Sequence, residues 1–347
     1  MSLVRDEFIR QQSVLERTWG KYNFLEKGSL TNDADLGFLA SSLEFIDQEV
    51  YKPVYEFQWF RALPYIYVGG AKEYASFYKA NYSISSDSAV ASGSNNVLIT
   101  AKAQFAKETT RVFPFSYVLE VGFIDEMKAR EIGYDIFTEY DNAINLQHNK
   151  MMDQITFFGL PNVDDSYGLV NIPSDVVEAR ESAKQWEDMT GTEFSEEITS
   201  TILDIIADTE YSNKFLPNRV LLPLPLFQKL ARPMAVAGEG GATFTTGVSL
   251  YTYLMNNLPN AYAGYQTDIT MLPIRYLVNA GQNGTGRIVI YRYSKDIMRG
   301  VMGMELTRGA TFPDVRSQST LTSYVAFVGE PQVIRPSAIR YIDNASA

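Results

Sequence analysis

The sequence predicts an α+β fold, and three observations carry that reading. Runs of alternating apolar and polar residues recur along the chain, the signature of half-buried strands. One apolar stripe, stepping by three and four, continues far enough for a single helix of about 24 residues, a rod of roughly 36 Å. Helices and strands are mixed without a repeating strand–helix–strand unit, which disfavours a doubly wound parallel sheet. At 347 residues the chain exceeds what one hydrophobic core usually serves, so two or three lobes are expected.

Residues 1–47 are charged and mixed, with helical fragments around the polar interruption "GSLTNDADLG", and read as an extended arm. From Tyr55 the pattern turns to period two: Tyr55, Phe57 and Trp59 share one face, as do Tyr74, Tyr78 and Tyr82. A second run alternates Val97, Ile99, Ala101, Ala103 and Phe105 with Thr100, Lys102 and Gln104. Between these last two runs lie residues 83–96, with six serines, one glycine and two asparagines, a flexible tip. Together they predict a long hairpin. A two-stranded ribbon is marginal in water by itself, so its apolar face needs a cover: the protein's own body or a neighbouring copy.

A short helix follows in "DEMKAREIG", closed by Gly133. Asp135 is placed to N-cap the long helix, whose stripe is Phe137, Tyr140, Ile144, His148, Met151, Ile155 and Phe158. Gly159 ends it, with Pro161 just beyond. In "TEFSEEITSTILDIIAD", Phe194, Ile198, Ile202, Ile205 and Ile206 lie on one face, and Glu196 and Glu197 read as first-turn acids. "NRVLLPLPLFQKL" reads as a buried strand, a proline stop and an amphipathic stub; residues 234–247 read as a glycine-rich loop. "VSLYTYLMNN" looks helical, whereas "DITMLPIRYLV", "GRIVIYRY" and "TSYVAFVGEPQVIRPSAIRYID" look like strands.

Composition narrows the function. There are 41 acidic against 30 basic residues, a net charge of −11, the wrong sign for a protein whose main task is gripping phosphates. The absence of cysteine removes disulfides, thiolate metal sites and cysteine nucleophiles, and suits a reducing cytoplasm. The charged start "MSLVRDEFIRQQSVLERTWG" is not expected to be a signal peptide. No apolar run is long enough for a membrane span; "RVLLPLPLF" is broken by Pro223 and Pro225.

The search for chemistry finds nothing specific. His148 is the only histidine, sits on an apolar stripe, and reads as a packed or interfacial imidazole rather than a catalyst. No Gly-x-Ser-x-Gly elbow accompanies it. Asp164 and Asp165, beside Asn162 and Ser166, read as turn formers before they read as a metal pair. Asp33 and Asp35 have a faintly calcium-loop spacing, but Gly37 is misplaced and the closing glutamate is missing. "GEGGAT" (238–243) and "GQNGTGR" (281–287) lack a following Lys-Ser/Thr and read as flexible loops. A carboxylate pair for glycoside hydrolysis is not selected by anything in the pattern. No catalytic, cofactor-binding or metal-ligating residue is therefore expected, and no cofactor.

The order of elements is arm, long hairpin with a loose tip, short helix, rod helix, glycine, polar turn, Gly-Leu-x-Asn in "YGLVNIP", mixed lobe and closing strand. This order resembles the major capsid protein of tailed double-stranded DNA bacteriophages, the Hong Kong 97-type fold. The resemblance implies an N-arm at 1–47, the P-domain start at 48–65 and an E-loop hairpin at 66–117 with its tip at 83–96. It further implies the P-domain at 118–215 with a spine helix at about 135–158, an A-domain at 216–304 and closing P-domain strands at 305–347. "NRVLLPLPLFQKL" and "YTYLMNN" resemble a branch of the family whose A-domain begins with an apolar strand, a proline stop and a short helix.

The implied function is structural: hexamers and pentamers of an icosahedral head around packaged DNA, in the virion, assembled in the host bacterial cytoplasm. The implied partners are further copies of the chain, a separate scaffolding protein (the arm is short for a built-in one), a portal and a decoration protein. Tyr74, Tyr78 and Tyr82 are the expected assembly contacts. Two alternatives stand beside this reading. An encapsulin-type compartment shares the fold and is separated by gene neighbourhood. A carbohydrate-active enzyme or binding module would be a small discrete species with saccharide affinity.

Overall fold

The computed structural model describes residues 55–84, 101–132, 135–161, 163, 166–210, 212–237, 243–257 and 269–345. The expected arm, residues 85–96 of the expected hairpin tip, and the acid pairs Asp33/Asp35 and Asp164/Asp165 lie outside the described residues; Ser83 and Ile84, expected in the tip, instead end a strand. In chain order the elements are α1 (Trp59–Ala62), β1 (Tyr65–Tyr67), β2 (Tyr74–Ile84), β3 (Ala101–Gly122), α2 (Phe123–Ile132) and α3 (Ile136–Phe158). Next come β4 (Ala179–Glu181), α4 (Gly191–Asp208), β5 (Arg219–Pro223), α5 (Leu224–Leu230), β6 (Pro233–Ala237), β7 (Thr243–Ser249) and α6 (Leu250–Asn257). The chain closes with β8 (Thr270–Ile274), β9 (Arg287–Tyr291), β10 (Met298–Asp314), β11 (Ser319–Val333) and β12 (Ile339–Asp343).

Among the described residues two five-stranded sheets form, in the orders β1-β10-β11-β3-β2 and β4-β12-β9-β5-β8, with β6 and β7 as a separate pair. The first sheet lies under α3. Phe113 and Phe115 join Met152 and Ile155, while Tyr117, Leu119 and Val121 join Ile136, Phe137 and Ile144. The second sheet supports two cores. On one, the α4 stripe Phe194, Ile198, Ile202, Ile205 and Ile206 packs with Val220, Leu222, Ile288 and Ile290, as its spacing predicts. On the other, Phe157 and Leu169 meet Leu221, Val289, Tyr291 and Tyr341.

The long helix begins where the sequence places it. Asp135 accepts from the backbone N–H groups of Phe137 and Thr138, which satisfies two orphan donors of the first turn. Burial along α3 is uneven: His148, Met152, Asp153, Ile155, Thr156 and Phe157 are buried, but Tyr140 and Phe158 of the expected stripe are exposed and Ile144 is half-buried. Ile155→Ala should therefore cost about 2–5 kcal/mol in thermal or denaturant unfolding. Ile144→Ala should cost clearly less, and equal costs would show that the helix is covered evenly along its length.

Four expectations are corrected. Tyr55, Phe57 and Trp59 do not form a strand; Trp59 starts helix α1, because the distant Asp153 carboxylate accepts from the N–H groups of Gln58 (2.9 Å) and Trp59 (2.7 Å). Helix α4 starts at Gly191 with Thr190 and Glu193 in a reciprocal capping box, so Glu193 rather than Glu196 or Glu197 is the first-turn acid. Residues 234–247 are not simply a loop: β6 and β7 pair across them. Finally, "GQNGTGR" is a hydrogen-bonded turn. Gly281 N–H donates to Thr285 O, and Gln282 N–H donates to Asp343, which also holds Arg287.

Candidate assembly surface

β2 and β3 pair antiparallel without a bulge over eleven positions, from Tyr74↔Arg111 to Ile84↔Ala101. Directly opposed residues of such a pair point to the same side. One face of the hairpin therefore collects Tyr74, Ser76, Tyr78, Ala80 and Tyr82 with Ala103, Phe105, Lys107, Thr109 and Arg111. Tyr74, Tyr78 and Tyr82 are 57%, 65% and 79% exposed, and Phe105, opposite Ala80, is 67% exposed. The structure thus brings the three expected tyrosines together and adds Phe105, which only the register reveals. The side chains expected to be half-buried are open, since no described element of the same chain covers this face.

The alternation explains which side chains this face carries. In β3 the odd positions Phe113, Phe115, Tyr117, Leu119 and Val121 lie beneath α3. The same series continues outward as Arg111, Thr109, Lys107 and Phe105, where every residue from Lys102 to Lys107 is exposed. The ribbon is also cationic on an acidic protein: residues 74–84 and 101–112 hold Lys79, Lys102, Lys107 and Arg111 against the single acid Glu108. Lys79 and Glu108 form an ion pair at 2.6 Å across the two strands. A second open apolar area lies at the far end of the sheet, where Phe123, Ile124 and Met127 of α2 and Phe312 and Val315 near the β10–β11 turn are exposed.

The joint after α3 is as tightly built as the hairpin is open. Gly159 takes φ 87°, a left-handed value that favours glycine, and a Cβ there would lie 2.6 Å from Ser166 O. Leu160 N–H donates to Ser166 Oγ at 2.8 Å. In the Gly-Leu-x-Asn turn, Asn171 accepts from Gly168 N–H (2.7 Å) and donates to Phe158 O (2.9 Å). Leu169 and Val170 N–H donate back to Thr156 O and Phe157 O. The second sheet grips the same turn: Tyr341 Oη donates to Leu169 O at 2.7 Å, and Arg287 donates to Val170 O at 2.7 Å while held bidentately by Asp343. The stretch is a structural joint.

His148 lies in the α3–β3 contact, edge-on to Tyr117 at 6.1 Å, with Nδ1 buried and unpartnered. Burial lowers its pKa, so folding excludes the proton that the unfolded chain takes up. Stability contributed this way is present above the unfolded value of about 6.5 and is lost as the pH falls below it. His148→Gln should flatten the melting-temperature difference between pH 7.5 and 5.5 and change particle yield by no more than a few-fold. An unchanged pH dependence would show that other groups set it. Among the described residues no three His, Asp or Glu side chains converge as a metal site.

Soluble monomers rarely leave an aromatic ribbon open beside a well-packed body. Comparison with known proteins supplies the family. A family model for the major capsid protein matches residues 87–344, and the chain belongs to that family. The capsid of Myoviridae phage XM1 superimposes with a TM-score of 0.71 at 16% identity, covering 88% of this chain and 98% of that one. A structure from Mycobacterium phage Adephagia gives 0.57 at 13% identity, covering 91% and 100%. The holo-SrpI encapsulin complex of Synechococcus elongatus PCC 7942 gives 0.51 at 12% identity, covering 89% and 95%. At such identities the likeness is one of fold. No curated protein matches the chain in sequence. The chain has the Hong Kong 97-type fold, and its role is structural, as a major capsid protein.

Proposed function

We propose that many copies of this chain close into the hexamers and pentamers of an icosahedral head that encloses double-stranded DNA, and that the protein has no catalytic role. The observation that carries this is the hairpin face of Tyr74, Tyr78, Tyr82 and Phe105, exposed in the single chain and continuous with the β3 side that α3 covers. In this reading residues 66–117 are the E-loop laid on an adjacent subunit, with its tip at 83–96, and 1–47 are the N-arm. Residues 48–65, 118–215 and 305–347 build the P-domain, with α3 as its spine, and 216–304 the A-domain. The acidic balance of the chain supports a container that does not adhere to the DNA inside it.

A separate scaffolding protein and a portal complete the proposed set of partners, and assembly takes place in the host bacterial cytoplasm. Reconstruction of nuclease-treated particles tests the proposal: five- and six-fold capsomers around protected duplex DNA are expected. Shells built of pentamers alone, or filled with protein cargo instead of DNA, would overturn it.

A further inference from the structure

The edge of the hairpin says more than its face. β2 is the outermost strand of its sheet, and no described strand pairs with its outer side. Val112 N–H donates to Glu73 O, one step before the Tyr74↔Arg111 pair. In an antiparallel ladder the residue next to a hydrogen-bonded pair turns its N–H and C=O away. The backbone groups of Tyr74, Ser76, Tyr78, Ala80 and Tyr82 therefore point at the open edge. Natural edges are blunted by proline, bulges or unpaired charge. Across eleven residues β2 has no proline and no bulge, and its one charge, Lys79, is already paired with Glu108.

From this geometry we propose that β2 pairs antiparallel with β2 of a second copy about a twofold axis at Tyr78, joining two hairpins into a four-stranded ribbon. The inference rests on the reading of the hairpin as an assembly contact. The tyrosines are spaced symmetrically about Tyr78, so this register sets Tyr78 opposite Tyr78 and Tyr74 opposite Tyr82. Ser76 then faces Ala80, and all five outward-pointing residues meet as hydrogen-bonded pairs. An isologous contact of this kind is self-complementary and closes. Aromatic pairs directly opposed across strands contribute roughly 0.2–1 kcal/mol each.

Charge is compatible with the pairing. Lys79 falls opposite Phe77 of the second copy rather than opposite another lysine. The cations of β3 stand one strand away from the seam on each side, so the two β3 strands are about 14 Å apart, beyond the screening length of roughly 8–10 Å. The seam itself takes up the two backbone edges and the flanks of the opposed tyrosines, and leaves their outer faces free to lie on an adjacent subunit.

The chain has no cysteine, so engineered cysteines report without background. Opposed residues of a hydrogen-bonded pair sit about 5.5 Å apart at Cα, within disulfide range. Oxidised Tyr78→Cys particles should run mostly as dimers on a non-reducing gel and return to monomers with reductant. Tyr74→Cys alone should stay monomeric, whereas Tyr74→Cys with Tyr82→Cys should crosslink. Ser76→Cys with Ala80→Cys keeps every tyrosine and should crosslink as well, should Tyr78→Cys fail to assemble. Assembled Ser76→Cys/Ala80→Cys particles that stay monomeric would overturn the pairing. The wider reading of the hairpin falls on a different result, shell formation by a chain with all three tyrosines replaced by serine.

Discussion

Gly168→Ala is expected to destabilise the subunit by about 4 kcal/mol or more, enough to lower its melting temperature by on the order of 10 °C. A Cβ at Gly168 would lie 2.2 Å from Phe157 C, 2.3 Å from Phe157 O and 2.3 Å from Phe158 N. These are backbone atoms of the last turn of α3, so no side chain can swing aside. Relief requires the turn to lift away, which breaks the bonds from Leu169 to Thr156 O and from Val170 to Phe157 O. Gly284→Ala is the control. Its φ of 74° is left-handed, but nothing lies within 4 Å of the added Cβ, so about 1 kcal/mol is expected. Melting of both variants decides the matter, and similar losses would mean that the joint yields.

Replacing Tyr74, Tyr78 and Tyr82 together by serine should abolish shell formation while leaving the subunit folded. The three side chains are already exposed in the single chain, so their removal takes little from its own core. In the assembly each burial is worth roughly 1.5–3 kcal/mol, and symmetry repeats the loss at every contact of a closed shell. Circular dichroism melting and analytical sedimentation of the same sample separate the two effects. A triple variant that sediments as full particles would remove the hairpin from the interface. One that melts far below the parent would place the tyrosines in the subunit core.

What the sequence reveals and what it hides follow from the range of the forces involved. Helix α3 is legible at both ends because its cap is local: Asp135 and Gly159 act on their own neighbours. The α4 stripe and the β5 strand are legible because each is apolar on the faces it buries. Helix α1 is not, since the carboxylate that caps it belongs to Asp153, more than ninety residues away. β10, the longest described strand after β3, does not show as an alternating run because its glycines hide the alternation. They answer to partners elsewhere in the chain: a Cβ at Gly300 would strike the Tyr65 ring at 2.4 Å, and one at Gly309 the Ser323 hydroxyl at 2.4 Å. At the assembly surface the tyrosine spacing is visible in the sequence, but Phe105 joins it only through the β2–β3 register.

The account stands or falls on whether this chain builds a shell. Negative-stain microscopy, with sedimentation of the same material, should be made on protein purified from cells that express it together with its flanking genes. Closed particles of uniform diameter, in which this chain is the main component, are the expected result. A chain recovered in every preparation as a small discrete species, folded but never in particles, would contradict it.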